Sequence, residues 1–471
     1  MKREKQISIL KELMRQLDEK VNVDAGVQYR NPASSYTCKD LAAKEWKTFF
    51  QNHPQIIGLS GDLPEPGSYL TIEDFGVPVL ATRDNDGEFH AFLNGCRHRG
   101  VQVASEPRGK AHKFMCPFHN WTYSNQGNLV NIPRSRDFGD IDKSCHGLVE
   151  LPAQEKHGLL VVHPNPKGSF EIDDLLGDLA PEIAGWNFDS LVYHTESVLD
   201  NQLNWKLAND TFGETYHFSR LHKNTLGHIF HGDALAYEEY GRNHRFVFAT
   251  KNIETLKGIP EEDWQYGENA SWLYYLFPNV QLGGGGHDAN LIKIYPDPHN
   301  PGRSITKVNH YFSQEFIDYV AEVPDDGKGA YERERNPSLD AVVEVFDSTI
   351  EQEDYLMGET DNIPKEPQHT FKLYRALGNT TQAVKIAVNI SQQEQEKEED
   401  AENKVVSSAL GVLPWAGVCP PCLGRPRPRR HMIQPNALRR LLTRNPNLRA
   451  KPLQTSIGFC IIVFVASASV S

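Results

Sequence analysis

The sequence predicts an α+β protein, with β structure and helices in separate stretches of the chain. Strand-like runs fall in two regions, residues 77–123 and 245–312, where apolar and β-branched residues alternate with turn signals. Helical spacing of apolar residues occurs at residues 7–20 and at 339–357. A chain of 471 residues with 39% hydrophobic residues has room for two or three domains.

The first predicted element is an amphipathic helix over residues 7–20. We expect it to pack on the body of the protein or on a neighbouring subunit. Its apolar stripe is made of Ile7, Leu10, Leu13, Met14 and Leu17.

A β-hairpin is predicted next. Residues 77–83 and 88–93 have strand character, and the segment from Asp84 to Gly87 joins them. Its final Asp-Gly pair is a strong hairpin signal.

Two short clips of Cys and His follow the hairpin. The first is Cys96-Arg-His98, and after seventeen residues comes the second, Cys116-Pro-Phe-His119. A [2Fe–2S] cluster held by two Cys on one iron and two His on the other has this ligand set. A zinc site uses the same ligand types, but Cys-x-His is tighter than the usual zinc spacing.

Residues 96–123 resemble the Rieske domain of the Rieske non-heme iron oxygenases, also called ring-hydroxylating oxygenase α-subunits. The resemblance rests on both clips, on Arg99-Gly100 and on Trp121. It implies that Cys96, His98, Cys116 and His119 bind a Rieske [2Fe–2S] cluster. Taken alone, this segment also fits a Rieske ferredoxin or an electron-transport protein.

A second candidate centre lies at Glu214, His217 and His222. The spacing places Glu214 and His217 on one helical face, whereas five residues turn a helix by about 500° and so separate His217 from His222 by roughly 140°. Both imidazoles can bind one metal only if the helix ends near His217 and the chain bends back. Two His and one carboxylate form the facial triad of non-heme Fe(II) oxygenases.

Following a Rieske segment, this pair is similar to the family motif Glu/Asp-x-x-His-x-x-x-x-His. The resemblance implies a mononuclear non-heme Fe(II) bound by His217, His222 and one distant acid. The apolar stripe of the helix predicted at 339–357 contains two acids, Asp347 and Asp354. Gln352-Glu353-Asp354 resembles the family's Glu-Asp pair, so we choose Asp354 and hold Asp347 in reserve.

The same resemblance implies a role for Glu214. In the family, this acid lies between the iron and the Rieske cluster of an adjacent subunit, contacts a His ligand on each side and couples electron delivery. Many aromatic-ring dioxygenases have Asp there, whereas Glu is similar to the choline and carnitine monooxygenases. Asn209, Asp210 and Tyr216 are expected close by, with Asn209 as a pocket or iron-adjacent residue or a structural one.

The strand-like runs of residues 245–312 resemble the family's catalytic domain, an antiparallel sheet packed with helices. Four aromatic residues there could form a cage for a cationic substrate, or could be part of the core. They are Trp272, Tyr274, Tyr275 and Phe277.

These patterns predict four segments. They are an N-terminal helical segment packed on the catalytic domain (1–45), a Rieske domain (46–150), an iron-containing catalytic domain (151–385) and a tail (386–471). The tail is expected to be disordered and non-essential. Its apolar run 457–465 has about half of the ~20 residues needed to span a bilayer. The alternative to a disordered tail is an anchor that contacts a membrane without spanning it.

Charge and cysteine content limit the partners and the compartment. The net charge is −13, although residues 405–471 carry eight Arg, one Lys and no acid. The rest of the chain, residues 1–404, is therefore strongly acidic. This charge argues against nucleic-acid binding and fits a basic protein partner. Seven Cys without a paired framework, and an N-terminus without an apolar signal core, predict a cytoplasmic protein.

The function implied by the resemblance is that of an oxygenase α-subunit. It would use O2 and electrons from a separate NAD(P)H-dependent reductase or ferredoxin to hydroxylate a small aromatic substrate. The chain has no dinucleotide-binding Gly-x-Gly-x-x-Gly unit, so the reductase is expected to be another chain. A homotrimer is expected, with or without a β-subunit. The alternatives are a choline/carnitine-type monooxygenase and a Rieske electron-transfer protein without catalysis.

Overall fold

The computed structural model describes residues 1–23, 29–223, 226–285 and 287–322, together with residues 339, 340, 343, 346, 347, 370 and 371. Asp354 and the predicted tail 386–471 lie outside the described residues. Within these ranges, no helix is both long and apolar enough to cross a bilayer.

The α-helices of the described ranges are mostly short. They are α1 Arg3–Glu19, α2 Ser34–Thr37, α3 Lys39–Glu45, α4 Ile172–Leu176, α5 Ala180–Ile183, α6 Trp205–Thr211, α7 Leu226–Ile229, α8 Tyr266–Asn269 and α9 Gln314–Glu322. A π-helical turn, Trp46–Gln51, continues α3. Residues 339, 340, 343, 346 and 347 are also helical, within the helix predicted at 339–357.

The strands make up most of the described fold. They are β1 Tyr29–Arg30, β2 Gln55–Leu59, β3 Ser68–Ile72, β4 Val79–Arg83, β5 Phe89–Leu93, β6 Arg108–Lys110, β7 Lys113–Met115, β8 Thr122–Ser124, β9 Leu129–Asn131, β10 Glu150–Leu151, β11 Ala153–Lys156, β12 Leu159–Val162, β13 Val192–Asn201, β14 Phe230–Tyr240, β15 Asn243–Thr250, β16 Ala270–Leu276, β17 Val280–Gly284, β18 Asp288–Pro296, β19 Ser304–Phe312 and β20 Thr370–Phe371.

The predicted α+β class is confirmed: antiparallel sheets are packed with helices. In the N-terminal β domain, one sheet has the order β10-β5-β4-β3-β6 and another the order β7-β8-β9. The hairpin prediction is confirmed by β4 and β5, which pair across a turn where Gly87 has a φ of +87°. The Asp84 carboxylate accepts the backbone N–H of Asp86 and of Glu88, each at 2.9 Å, and so stabilises this turn.

Two paired strands follow the predicted boundary at residue 150. Strands β11 and β12 pair with each other, and β12 also pairs with β2, which begins at Gln55. The pairing with β2 ties residues 153–162 to the N-terminal domain. The four predicted segment boundaries stay predictions.

The second domain is built on a seven-stranded antiparallel sheet with the order β13-β19-β18-β17-β16-β15-β14. Because side chains alternate along a strand, its two faces bury different residues. One face, called here the α1 face, includes Trp272, Tyr274 and Leu282 and packs with α1 in one core. The other, the α6 face, includes Tyr275 and Ile292 and packs with α6 in a second core.

Helix α1 packs on this sheet along its apolar stripe. It begins at Arg3, four residues before the predicted start, and buries Ile9, Leu10 and Leu13. The buried Gln16 amide donates to the carbonyl of Leu235 at 3.0 Å and accepts its N–H at 2.9 Å. The side chain of Gln16 therefore satisfies both backbone groups of a residue in β14.

Candidate active site

The first clip is a tight loop closed by its own backbone. The N–H of Gly100 donates to the carbonyl of Cys96, and the N–H of Cys96 donates to the carbonyl of Val101, both at 2.8 Å. Gly100 has a φ of +73°, which glycine adopts without steric cost. The loop holds the Cys96 thiol in the interior, with 3% of the residue exposed.

The second clip repeats this pattern. The N–H of Asn120 donates to the carbonyl of Cys116 at 2.9 Å, and the N–H of Cys116 donates to the carbonyl of Trp121 at 2.8 Å. Asn120 occupies the position of Gly100 with a φ of +60°, a conformation that Asn tolerates better than most residues. Two loops of matching geometry therefore present one buried thiol each.

The structure brings all four predicted cluster residues together. The rings of His98 and His119 are 4.8 Å apart, and His98 stacks on Trp121 at 5.0 Å with 8° between the ring planes. Burial is the main cause of the raised pKa of the Cys116 thiol. A buried thiol pair beside an imidazole pair fits a two-iron cluster.

Tyr123 contacts the first clip, and the sequence analysis did not predict this contact. Its hydroxyl lies 3.2 Å from Cys96 Sγ and accepts the backbone N–H of Arg97 at 3.0 Å, which leaves the O–H to donate to sulfur. Burial is the main cause of the raised pKa of Tyr123, so the phenol remains a donor. The available signal was its position in the short strand that follows the second clip.

Helix α6 ends before the second centre and leads into it. The Asn204 side chain caps its first turn by accepting the N–H of Lys206 at 3.0 Å, and the helix ends at Thr211. His217 lies six residues beyond that end, in a run of turns. The expectation that Glu214 and His217 share a helical face is therefore wrong.

The turns after α6 bring His217 and His222 close together, which a continuous helix would not do. The N–H groups of Arg220 and Leu221 donate to the carbonyl of His217 at 2.9 and 2.8 Å and so reverse the chain. As a result, the rings of His217 and His222 lie 5.0 Å apart with 72° between their planes. Two imidazoles at this separation and angle fit a shared metal ion.

Glu214 holds the first of these imidazoles. Its Oε1 is in hydrogen-bond contact with His217 Nδ1, and its Oε2 accepts the N–H of His217 at 3.3 Å and that of Tyr216. A carboxylate on Nδ1 fixes the tautomer in which Nε2 carries the lone pair. The Glu214 and His217 side chains are 17% and 19% exposed, so this pair is reachable from outside the chain, and Tyr216 is 74% exposed.

The reserve ligand, Asp347, lies elsewhere on the α6 face. Its carboxylate contacts Ser197 of β13 and His310 of β19. The imidazole pair instead packs through Phe218 on Phe248 of β15. Four inter-strand spacings separate β15 from β19, about 19 Å along the sheet. This placement gives no support to Asp347 as a ligand, and Asp354 stays a prediction.

Asn209 is buried between α6 and the sheet. Its Oδ1 accepts a hydrogen bond from Gln281 Nε2 of β17 at 2.7 Å, and neither side chain is exposed. The neighbouring Asp210 accepts the hydroxyl of Tyr36 at 2.6 Å. Both contacts anchor the helix that precedes the imidazole pair, which favours the structural role for Asn209.

The four aromatic residues considered for a cage do not form one. Trp272 and Tyr274 belong to the core of the α1 face, whereas Tyr275 and Phe277 belong to that of the α6 face. Each is at most 9% exposed. They are core residues, and they are divided between two faces of the sheet because side chains alternate along β16.

Comparisons with known protein families agree with the two centres. The family model of the Rieske [2Fe-2S] domain matches residues 53–149. The model of the catalytic domain of the ring-hydroxylating α subunit matches residues 188–362. The first match contains both clips, and the second contains the turn with His217 and His222.

Curated relatives fall into two classes. The chain is 32% identical over 203 residues to the glycine betaine monooxygenase oxygenase subunit of Chromohalobacter salexigens, which covers 43% of this chain and 45% of the relative. It is 31% identical over 205 residues to the large oxygenase component of the naphthalene 1,2-dioxygenase system of a Ralstonia species, covering 40% and 43%. The matches therefore span somewhat under half of the length of these relatives.

Solved structures share the fold. The quaternary ammonium Rieske monooxygenase CntA superposes with a TM-score of 0.61 at 18% identity, over 77% of this chain and 94% of that one. Naphthalene 1,2-dioxygenase from a Rhodococcus species superposes with a TM-score of 0.55 at 21% identity, over 81% and 97%. At these identities the likeness concerns the fold alone.

Proposed function

The chain belongs to the Rieske non-heme iron oxygenases, and on that premise we propose that it is the oxygenase component of a multicomponent system. It would use O2 and electrons from a separate NAD(P)H-dependent reductase or ferredoxin to oxidise a small organic substrate. The observation that carries this proposal is the turn in which Glu214 holds His217 beside His222, in a chain that also has both Rieske clips.

The cofactors of the family are a Rieske [2Fe–2S] cluster and a mononuclear non-heme iron. The described residues fit the cluster and two of the three iron ligands, and the third, Asp354, is a prediction. Cys96, His98, Cys116 and His119 would hold the cluster, with a buried thiol pair and an imidazole pair. His217, His222 and Asp354 would hold the iron. When bound, the cluster supplies single electrons and the iron supplies the open positions at which O2 is activated.

The residues around these ligands orient them. Glu214 keeps the hydrogen of His217 on Nδ1, so that Nε2 carries the lone pair that a metal ion requires. Because this carboxylate is partly exposed, it can also contact a His ligand of a neighbouring subunit in a trimer. We include that contact, and electron delivery through Glu214, in the proposal.

The substrate that we propose is an organic cation of the quaternary ammonium type. Glu rather than Asp at position 214 supports this class, as does the similarity to a glycine betaine monooxygenase subunit. The second candidate is an aromatic ring, supported by the similarity to a naphthalene dioxygenase component at almost the same identity.

A single turnover under ¹⁸O2 tests the proposal. Chemically reduced protein is incubated with benzoate-like aromatics and with choline- and carnitine-like amines. The products and their ¹⁸O content are identified by mass spectrometry. We expect one labelled oxygen atom in an amine-derived product. Two labelled atoms in a ring diol would instead establish the aromatic function.

The matched control is His217→Ala. It should lose one of three irons per chain and all product, and it should keep the visible absorption of the cluster, because the clips are separate from the turn. A wild-type chain with only two irons and no product would identify an electron carrier and overturn the proposal.

A further inference from the structure

Trp121 is a buried tryptophan that follows the second clip by two residues. The residue is 3% exposed, and its indole N–H has no acceptor among the described residues. Its backbone carbonyl accepts the N–H of Cys116 at 2.8 Å, which ties the residue to the clip. The indole N–H is therefore an unpaired donor beside the cluster residues.

Two rings hold the indole in place. One is the imidazole of His98, which stacks on it with ring centroids 5.0 Å apart and 8° between the planes. The other is Phe138, which packs edge-on against both the indole and His98, with centroids 5.8 Å apart in each case. Trp121 also belongs to the same core as Cys96 and Cys116. The indole is thus fixed between one predicted cluster ligand and the core that contains both thiols.

A buried N–H without an acceptor destabilises a protein, because the group has lost its hydrogen bonds to water and has gained none in exchange. Such groups are rare in native proteins, and each one indicates an acceptor that completes it. Since the indole of Trp121 is closed off from solvent, this acceptor must lie inside the domain.

A trapped water molecule does not fit as this acceptor. A buried water makes about three hydrogen bonds, so it lies among several polar groups that need a partner. Within residues 61–200, all of which the structure describes, Trp121 Nε1 is the only buried side-chain nitrogen or oxygen without one. The core that contains the indole is built of apolar side chains instead, among them Phe114, Leu129 and Leu148.

A sulfur atom of the cluster fits the requirement. The sulfurs of an iron–sulfur cluster accept hydrogen bonds from the protein, and these bonds help to set its reduction potential. The hydroxyl of Tyr123 already contacts Cys96 Sγ at 3.2 Å. The indole of Trp121 would be a second donor, and an indole nitrogen can donate but cannot accept.

We propose that Trp121 is a positioning residue of the Rieske cluster: its ring sets the plane of His98, and its N–H donates a hydrogen bond to a cluster sulfur. This inference rests on the cluster of the proposed function and not on the chemistry with O2. Reduction adds negative charge to the cluster, so a hydrogen bond to sulfur stabilises the reduced form. Trp121 should therefore raise the reduction potential.

Pulsed electron paramagnetic resonance on the reduced, cluster-loaded chain detects this hydrogen bond. The protein is produced with tryptophan that carries ¹⁵N in the indole ring. We expect a coupling between this ¹⁵N and the cluster in the wild-type chain, and its loss in Trp121→Phe. A wild-type cluster without the ¹⁵N coupling would overturn the proposal, and this outcome does not depend on the folding of any variant.

The reduction potential separates the N–H from the ring. Trp121→Phe removes the N–H and part of the ring, whereas replacement of Trp121 by 3-benzothienylalanine keeps a bicyclic ring without the N–H. In both variants we expect one-electron reduction to become about tenfold less favourable, which is a shift of about 59 mV to lower potential. An unchanged potential in the benzothienylalanine variant would show that the N–H does not act on the cluster and would overturn the proposal.

The matched control is Trp186→Phe. Trp186 packs on Trp272 of the seven-stranded sheet, and its indole N–H donates to the hydroxyl of Tyr274 at 2.6 Å. This variant should keep the wild-type potential and the ¹⁵N coupling. An equal shift in potential in Trp186→Phe would show that the effect is not specific to Trp121 and would overturn the proposal.

The outcomes separate this inference from the proposed function. A chain that makes labelled product but lacks the ¹⁵N coupling overturns the role of Trp121 alone. A chain with two irons and no product, whose reduction potential still depends on the N–H of Trp121, overturns the oxygenase proposal and supports the role of Trp121.

Discussion

Tyr123 shows how much a single side chain outside the ligand set can contribute. Its hydroxyl is oriented toward Cys96 Sγ because the backbone N–H of Arg97 occupies the oxygen from the other side. Hydrogen bonds to cluster sulfurs are among the features that set the reduction potential of an iron–sulfur protein. The four ligands fix the type of cluster, and Tyr123 tunes it.

Tyr123→Phe should therefore lower the reduction potential of the Rieske cluster. The loss of one O–H donor to a thiolate corresponds to about 1 kcal/mol, or on the order of 50 mV for one electron. A redox titration followed by electron paramagnetic resonance measures the change.

Tyr69→Phe is the control for this measurement. Tyr69 lies in the same domain and packs on Phe114, with ring centroids 5.3 Å apart. An equal shift in both variants, or none in Tyr123→Phe, would show that the phenol does not act on the sulfur.

At the scale of elements, α6 is held by an ion pair deep in the protein. Lys206 and Glu45 have side chains that are 2% and 1% exposed, and Lys206 also donates to the carbonyl of Ser35. Burial raises the pKa of Glu45, and the nearby lysine opposes that shift. This pair fixes the helix that leads into the turn at Glu214 to the N-terminal segment.

Lys206→Met should cost about 3–5 kcal/mol in the free energy of unfolding, because it leaves a buried carboxylate without its partner. Glu45 in the folded variant should then retain a proton that the unfolded chain releases. Since its folded pKa lies above the unfolded value, the free energy of unfolding should fall as pH rises from the unfolded pKa toward the folded one. Denaturation by urea at several pH values measures both effects.

The same substitution at an exposed pair provides the comparison. Lys257 pairs with Asp18, and both side chains are more than half exposed, so Lys257→Met should destabilise the protein far less than Lys206→Met does. An equal loss in the free energy of unfolding in both variants would show that the burial of the Lys206–Glu45 pair does not cause the destabilisation.

At the scale of the whole molecule, the two centres belong to different domains. The clips lie in the N-terminal β domain and the imidazole pair lies beside the seven-stranded sheet. We propose that electrons pass from the cluster of one subunit to the iron of the next. Activity then requires an intact cluster in one subunit and an intact iron site in its neighbour.

Two inactive variants should therefore complement each other. Cys96→Ser removes a cluster ligand and His217→Ala removes an iron ligand, and co-expressed chains should assemble into mixed trimers. In a ring with one direction of transfer, random mixing leaves about a quarter of the wild-type activity. Each variant expressed alone should show none. An inactive mixture of mixed trimers would place electron transfer within one subunit.

Much of this protein was determined by local sequence. The two clips, the Asp-Gly hairpin and the stripe of α1 are short-range patterns, so residue spacing was enough to predict the fold class and the cluster ligands that the structure brings together. The family model that matches residues 53–149 contains the same clips. Turn chemistry and hydrophobic period act within a few residues and can be recognised without tertiary contacts.

The tertiary structure decided what depends on contacts between distant residues. The chain reverses at His217 through turns rather than through a helix, because backbone hydrogen bonds and the Glu214 carboxylate outweigh the helical spacing. The pleat of the chain at residues 272–277 divided four nearby aromatic residues between two cores. Ser197 contacts His310 and Asp347, which lie 113 and 150 positions later in the sequence, and no local pattern predicts such contacts because they depend on the tertiary fold.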